Sequence, residues 1–436
     1  MKTLTWSELD DNARDAALAR PAARADAALR EGVRTIIEDV RDSGWDALCA
    51  HAERIDGTPP KRIAVALAAE DARRRLTTEQ MRAMQLARAN IARFHDAARP
   101  ADLSIETLPG LTVRKLWRPI DSVGIYVPGG TAPLFSTLMM LAIPAKAAGV
   151  PNIAVVTPPR PDGTLDPAIA VAAELAGIDA IWSVGGAQAI AALAFGAGDI
   201  PRCAKICGPG NAWVAEAKTQ VAAMAGGPAI DLPAGPSELM VIADGDASPE
   251  IVAADLLGQA EHDASAQVVL VTTDATLAKR VAALLPELAA SLPRRDIALA
   301  SLDNARIIIA DSLAIAADIA NLYAPEHLSL AISDPDALLP AIRNAGAVFA
   351  GALAAETFGD YLAGSSHVLP TDGGARAWGG VTVHTFLKAM TVQSVTPAAL
   401  RKIAAPAATL ARIEGLEAHA RAAEARLVTQ NAGATA

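Results

Sequence analysis

Four polar clusters in the second half of the chain carry residue types that hold metals or move protons. Gln259-Ala-Glu261-His262-Asp263 ends a predicted helix. Gln259 and His262 are three apart, so both can face one ligand if the helix continues. Histidine is a common zinc ligand, and an amide or carboxylate oxygen can complete such a site. By spacing alone the pair is equally a solvated helix face. Pro325-Glu326-His327 follows a predicted helix and leads into an apolar strand. Glu beside His offers two proton acceptors near neutral pH once burial tunes them. In extended backbone adjacent side chains point to opposite faces, so the two would serve different protons rather than form one dyad. Gly359-Asp360-Tyr361 and Gly364-Ser365-Ser366-His367 form a third patch, with Asp360 a candidate metal ligand and His367 a candidate substrate hydrogen-bonder. Turn chemistry accounts for the Gly and Ser there equally well. Glu414 and His419 lie on a late helix. Five residues turn a straight helix through about 140°, so they share a face only if Gly415 breaks it.

The first half carries a different signal. A strand, a glycine-rich turn and a helix start recur three times, at Pro128-Gly129-Gly130, Gly185-Gly186 and Gly208-Pro209-Gly210-Asn211. Glycine lets backbone approach a ligand, and a helix N-terminus favours an anion. In doubly wound sheets such turns sit at the carboxyl ends of strands, where ligands bind. Any one of them is ordinary loop geometry; three in one half favour a nucleotide. The fingerprint G-x-G-x-x-G is absent, because Trp213 stands where the third glycine would be. A dinucleotide would have to bind atypically.

The elements that must position these residues follow from periodicity. Strands are expected at 123–127, 153–157, 180–184 and 204–207, alternating with helices at 134–148, 167–176, 187–195 and 211–224. A second series places strands at 239–242, 267–272, 305–309, 328–332 and 347–350, with helices at 249–260, 276–285 and 313–320. Such alternation implies parallel βαβ units. The fold class is therefore α/β, with two Rossmann-like parallel-sheet domains whose matching element series suggests duplication, flanked by N- and C-terminal helical segments. The expected divisions are 1–112 (helical, with Leu18, Ala22 and Ala25 at helical spacing and a stronger pattern over 76–94), 113–236, 237–380 and 381–436. In the last, 400–427 is the clearest helix, and Pro406 should limit its continuity.

Composition narrows the classes. Of 436 residues, 52% are hydrophobic, enough for a sizeable core, while aromatics at 3% exclude a base-stacking platform. A net charge of −10 argues against a phosphate-backbone binder. Ser122 to Ala145 is uncharged for 24 residues, long enough for a bilayer. Its internal Pro and Gly residues would leave lipid-facing backbone unpaired, so a buried strand, loop and helix are expected. The N-terminus carries Glu8, Asp10 and Asp11 and no apolar signal region. Cys49, Cys203 and Cys207 form no disulfide framework. The expectation is a soluble cytoplasmic protein that binds neither nucleic acid nor membrane.

Taken in order, the segments resemble the histidinol dehydrogenase family. The resemblance rests on Tyr126-Val-Pro-Gly-Gly-Thr-Ala-Pro, Gly185-Gly-Ala-Gln, Gly208-Pro-Gly-Asn, Asp231-Leu-Pro-Ala-Gly-Pro-Ser-Glu, Gln259-Ala-Glu-His, Pro325-Glu-His-Leu, Gly359-Asp-Tyr, His367-Val-Leu-Pro-Thr and Glu414-Gly-Leu-Glu-Ala-His. It spans about 115 to 419; the first hundred residues share mainly the helical texture. It implies an NAD-dependent, zinc-containing homodimer that oxidises L-histidinol through L-histidinal to L-histidine, the last two steps of histidine biosynthesis. The implied zinc ligands, one ion per subunit, are Gln259, His262, Asp360 and His419, and the catalytic pair is Glu326 and His327. Substrate contacts are implied at Ser237, His327, His367 and Glu414 besides the zinc ligands, and NAD contacts at Tyr126, Gln188 and Asn211. NAD then belongs with 113–236, zinc and catalysis with 237–380, and the arm 381–436 with dimerisation, Glu414 and His419 reaching the partner's site. Ser366 departs from the family's usual Asn, and Cys207 receives no role. The alternative is a same-fold zinc/NAD dehydrogenase for another alcohol, such as a sulfonated diol. A zinc hydrolase would leave the glycine turns without a task.

Overall fold

The computed structural model describes residues 2–21, 27–129, 133–232 and 235–433, with side chains to 427. Ala22 and Ala25 of the N-terminal pattern lie outside the described residues, as do Gly130, Thr131 and Ala132 of the first turn motif and Pro233 and Ala234 after Asp231. The chain divides into two units, Met1–Ala98 with Ile120–Phe386, and Arg99–Pro119 with Leu387–Ala436.

The larger unit holds two six-stranded sheets. In the first, Ala180–Ser183, Asn152–Thr157, Ser122–Tyr126, Lys205–Cys207 and Ala229–Ile230 lie side by side and parallel. In the second, Arg306–Ile309, Gln267–Thr272, Glu238–Ala243, His327–Ala331 and Ala347–Ala350 repeat that order, also parallel. Numbered within each half, both read 3-2-1-4-5, the doubly wound order with a switch between the first and fourth strands. The shared order fits two related halves.

The N-terminal region does more than its helical texture predicts. Lys2–Thr5 adds a parallel strand beside Arg306–Ile309, and Lys61–Ala64 adds an antiparallel one beside Ala180–Ser183. These strands are four residues each and half-exposed, too short for a period-2 pattern to stand out. The helix expected over 76–94 is present as Thr78–Ala97, its start fixed by a capping box between Thr77 and Gln80. Leu18, by contrast, ends the helix Asp11–Leu18, and residues 19–21 are not helical.

The uncharged stretch resolves as expected. Ser122–Tyr126 is a central strand, and Phe135–Ala148 is a helix buried on nearly every side. A helix apolar all round belongs in a core when neighbours cover it. Among the described residues no helix is long and apolar enough to cross a membrane.

The smaller unit is an antiparallel sheet of Leu387–Val395, Leu111–Pro119 and Leu103–Leu108, followed by the helices Pro397–Ile413 and Glu417–Gly433. The strand 387–395 lies where a return to helix was expected. The helix also runs through Pro406 and stops instead at Glu414, with Gly415 at φ 76°. That left-handed conformation suits glycine and ends the helix. Arg412 then bridges Glu417 and Glu424 across the hairpin.

Candidate active site

Within the larger unit a cavity of about 140 Å³ gathers Ser237, Gln259, His262, Glu326, His327, Asp360 and His367. Each arrives for a local reason. Ser237 precedes the strand Glu238–Ala243, and Glu326 and His327 stand at the amino end of the neighbouring strand. Gln259 is in the last turn of the helix Pro249–Ala260, and the His262 N–H donates to its carbonyl at 3.2 Å. A helix C-terminus carries partial negative charge and suits a cation. Asp360 lies on the short helix Glu356–Tyr361. Gly208 and Pro209, from a carboxyl-end loop of the first sheet, and Thr137 complete the wall. The second sheet thus offers its strands' amino ends here, whereas the first offers a carboxyl end.

Glu326 and His327 do not diverge as an extended dipeptide would. Glu326 precedes the first paired residue of its strand, and its carboxylate accepts the Glu238 N–H at 2.9 Å. His327 Nδ1 lies 3.1 Å from the Glu238 carbonyl and 3.6 Å from Glu326 Oε2. A carbonyl only accepts, so the proton sits on Nδ1 and the neutral ring presents Nε2 as its basic atom. That Nε2 is buried without a hydrogen-bond partner, 3.7 Å from Asp360 Oδ1. Glu356 adds a third carboxylate, 3.7 Å from His327 Nδ1.

Burial raises the pKa of both Glu326 and Glu356, partly offset by His327. Burial would lower His327, but Glu326, Glu356 and Asp360 outweigh it and raise it. A cation among these carboxylates would offset their pull on the ring. His367 is held lowered by burial, against the pull of Asp360. Its Nδ1 faces the Asp360 carbonyl at 3.2 Å, and its Nε2 faces the Thr137 hydroxyl at 2.9 Å.

The donor set fits zinc. Gln259, His262 and Asp360 line the same small space with nitrogen and oxygen ligands of the right kind. His327, Glu356 and Asp360 also bring ligand atoms within 4.8 Å of one another. Gln259, with its amide oriented to satisfy its neighbours, donates to Glu356 at 2.7 Å and accepts the Glu238 N–H at 3.1 Å. Glu414 and His419 belong to the smaller unit and are exposed.

The residues expected to touch NAD sit beside the glycine turns. Tyr126 OH accepts the Gly186 N–H at 3.3 Å, and burial pushes its pKa up to about 12. Gln188 donates to Asp56 at 3.2 Å, while its buried Oε1 has no partner. Asp56 also accepts the Gly185 N–H at 3.0 Å. Asn211 caps the helix Ala212–Ala223, its amide oxygen accepting from Trp213 and Val214. Gly208 has φ 124°, and a Cβ there would fall 2.1 Å from the Tyr126 carbonyl oxygen, so the turn requires glycine. Cys207 is fully buried, and burial raises its thiol well above the usual range, which removes it as a nucleophile.

Several residues of the site escaped the sequence reading. Glu356 carried a usable signal, four residues before Asp360 on one helix face. Asp231 opened one of the resembling motifs but received no role, and Asp56, Thr137 and Lys218 carried no signal, because their partners are 10 to 230 residues away.

A doubly wound pair of sheets, glycine turns at one sheet's carboxyl ends and a buried His–carboxylate cavity define the frame of an α/β dehydrogenase. The histidinol dehydrogenase family model matches residues 18–427. A histidinol dehydrogenase of Xanthomonas campestris pv. campestris is 47% identical over 430 residues, covering 98% of this chain and 99% of that protein. One from Aliivibrio fischeri is 43% identical over 428 residues, covering 98% and 97%. The crystal structure of histidinol dehydrogenase from Elizabethkingia anophelis superposes with a TM-score of 0.94 at 40% identity over 99% of both chains. The chain belongs to the histidinol dehydrogenase family.

Proposed function

We propose that the protein oxidises L-histidinol through L-histidinal to L-histidine, consuming two NAD, with one zinc ion per subunit. The observation that carries this reading is the convergence of Ser237, Gln259, His262, Glu326, His327, Asp360 and His367 on one cavity, in a chain of this family. Gln259, His262 and Asp360 would hold the zinc, with His419 of the partner subunit as the fourth ligand. When bound, zinc supplies a charged template for the substrate's nitrogen atoms, and NAD the hydride acceptor.

His327 takes the alcohol proton on Nε2, the atom left free once Nδ1 donates to the Glu238 carbonyl. Glu326, made more basic by burial, activates water against the aldehyde. Positioned proton transfer of this kind is worth about 10²–10⁴-fold. Ser237 and His367 orient the substrate, with Glu414 of the partner subunit. Tyr126, Gln188 and Asn211 seat the NAD beside the Gly185–Gly186 and Gly208 turns. The work is done by a homodimer in the cytoplasm.

The test is NADH formation by the zinc-loaded protein with L-histidinol, set against a sulfonated diol. Turnover of histidinol with none of the diol is expected. Turnover of the diol alone would move the assignment to a different alcohol, and no NADH with either would overturn the dehydrogenase reading.

A further inference from the structure

We infer that Arg20 is a positioning residue for both oxidation steps, acting through Glu238 and through the turn that carries Glu326 and His327. The inference rests on the proposed roles of that pair. The Arg20 guanidinium grips the Glu238 carboxylate with two hydrogen bonds, 2.5 and 2.9 Å long. Both side chains are largely buried, at 16% and 4% exposed. The Glu238 backbone meets the side chains of both members of the pair: its N–H donates to Glu326 and its carbonyl faces His327. The Asp372 N–H donates to the same carboxylate at 2.8 Å, which fixes it from the other side.

The second contact is to the turn itself. Arg20 donates to the carbonyls of Tyr323 and Ala324, at 2.8 and 3.3 Å, and lies over the Tyr323 ring at 4.0 Å. Ala324 has φ 55° and ψ 66°, a left-handed conformation that alanine adopts only when its surroundings impose it. It stands two residues before Glu326. One planar fork therefore ties the strand start that holds the pair to the strained turn that delivers it. A lysine has the charge but not the fork.

The test compares wild type with Arg20→Lys, Arg20→Ala and the double variant Arg20→Met/Glu238→Gln. Each is assayed with L-histidinol and with L-histidinal, and for thermal unfolding. The double variant matters because it leaves no unpaired buried carboxylate, so it recovers the stability that Arg20→Ala loses. Displacing a catalytic group by about an ångström costs on the order of 100-fold in rate. The expected result is a kcat reduced about 10- to 100-fold in both steps. KM for NAD should be unchanged, kcat should stay low in the stabilised double variant, and methylguanidinium should partly restore Arg20→Ala. Recovery of kcat together with stability would reduce Arg20 to a structural role and overturn the inference, as would a kcat for Arg20→Lys equal to wild type. Wild type inactive on histidinol would instead overturn the proposed function.

Discussion

At the scale of single residues, the site buries two polar atoms without hydrogen-bond partners among the described residues, His327 Nε2 and one carboxylate oxygen of Glu356. The Glu238 carbonyl fixes the proton on Nδ1, and Nε2 stays open. Glu326→Gln keeps the shape and removes the base. It should lower histidinal oxidation about 10²–10⁴-fold and histidinol oxidation much less. Equal losses with the two substrates would contradict separate roles for Glu326 and His327. Glu356 supports Gln259 at 2.7 Å and faces His327. Gln259 is a proposed zinc ligand, and removing a group that orients such a ligand costs about 10–100-fold in affinity, so under that proposal Glu356→Ala should weaken zinc binding by that factor in competition with a chelator. Unchanged zinc affinity would leave Glu356 without this role. The sequence made Glu326, His327 and Asp360 legible by type and setting. It could not show that Glu326 and His327 meet at Glu238, because that depends on where strand pairing begins.

At the scale of elements, the loop after Lys205–Cys207 is held by a buried ion pair. Lys218 donates to Asp231 and to the Gly208 carbonyl, and Asp231 accepts the Gly208 N–H at 2.7 Å. Lys218 and Asp231 side chains are 3% and 1% exposed. Breaking such a pair by removing one partner leaves a buried charge and costs about 3–5 kcal/mol. Asp231→Ala should show that loss in denaturant unfolding. A loss of about 1 kcal/mol, typical of an exposed pair, would contradict the account. Hydrophobic periodicity revealed the long βαβ elements closely, down to Gln267–Thr272. It missed Lys2–Thr5, Lys61–Ala64 and Leu387–Val395, whose pairing partners lie far away in sequence. It also overrated Pro406, since the neighbouring turns carry the helix past one missing N–H.

At the scale of the whole molecule, the cavity lining comes from the larger unit, while Glu414 and His419 are exposed in the smaller. The proposed sharing of sites between subunits accounts for both facts. Mixing inactive His327→Asn and His419→Asn variants under conditions where subunits exchange should restore part of the activity. Exchange without recovery would contradict shared sites. The central claim is a four-electron oxidation completed in one site, and the number of NADH formed per L-histidinol tests it most directly. With excess NAD and zinc, the account predicts about two NADH per histidinol and histidine as the product. One NADH with accumulated histidinal, or none, would contradict it.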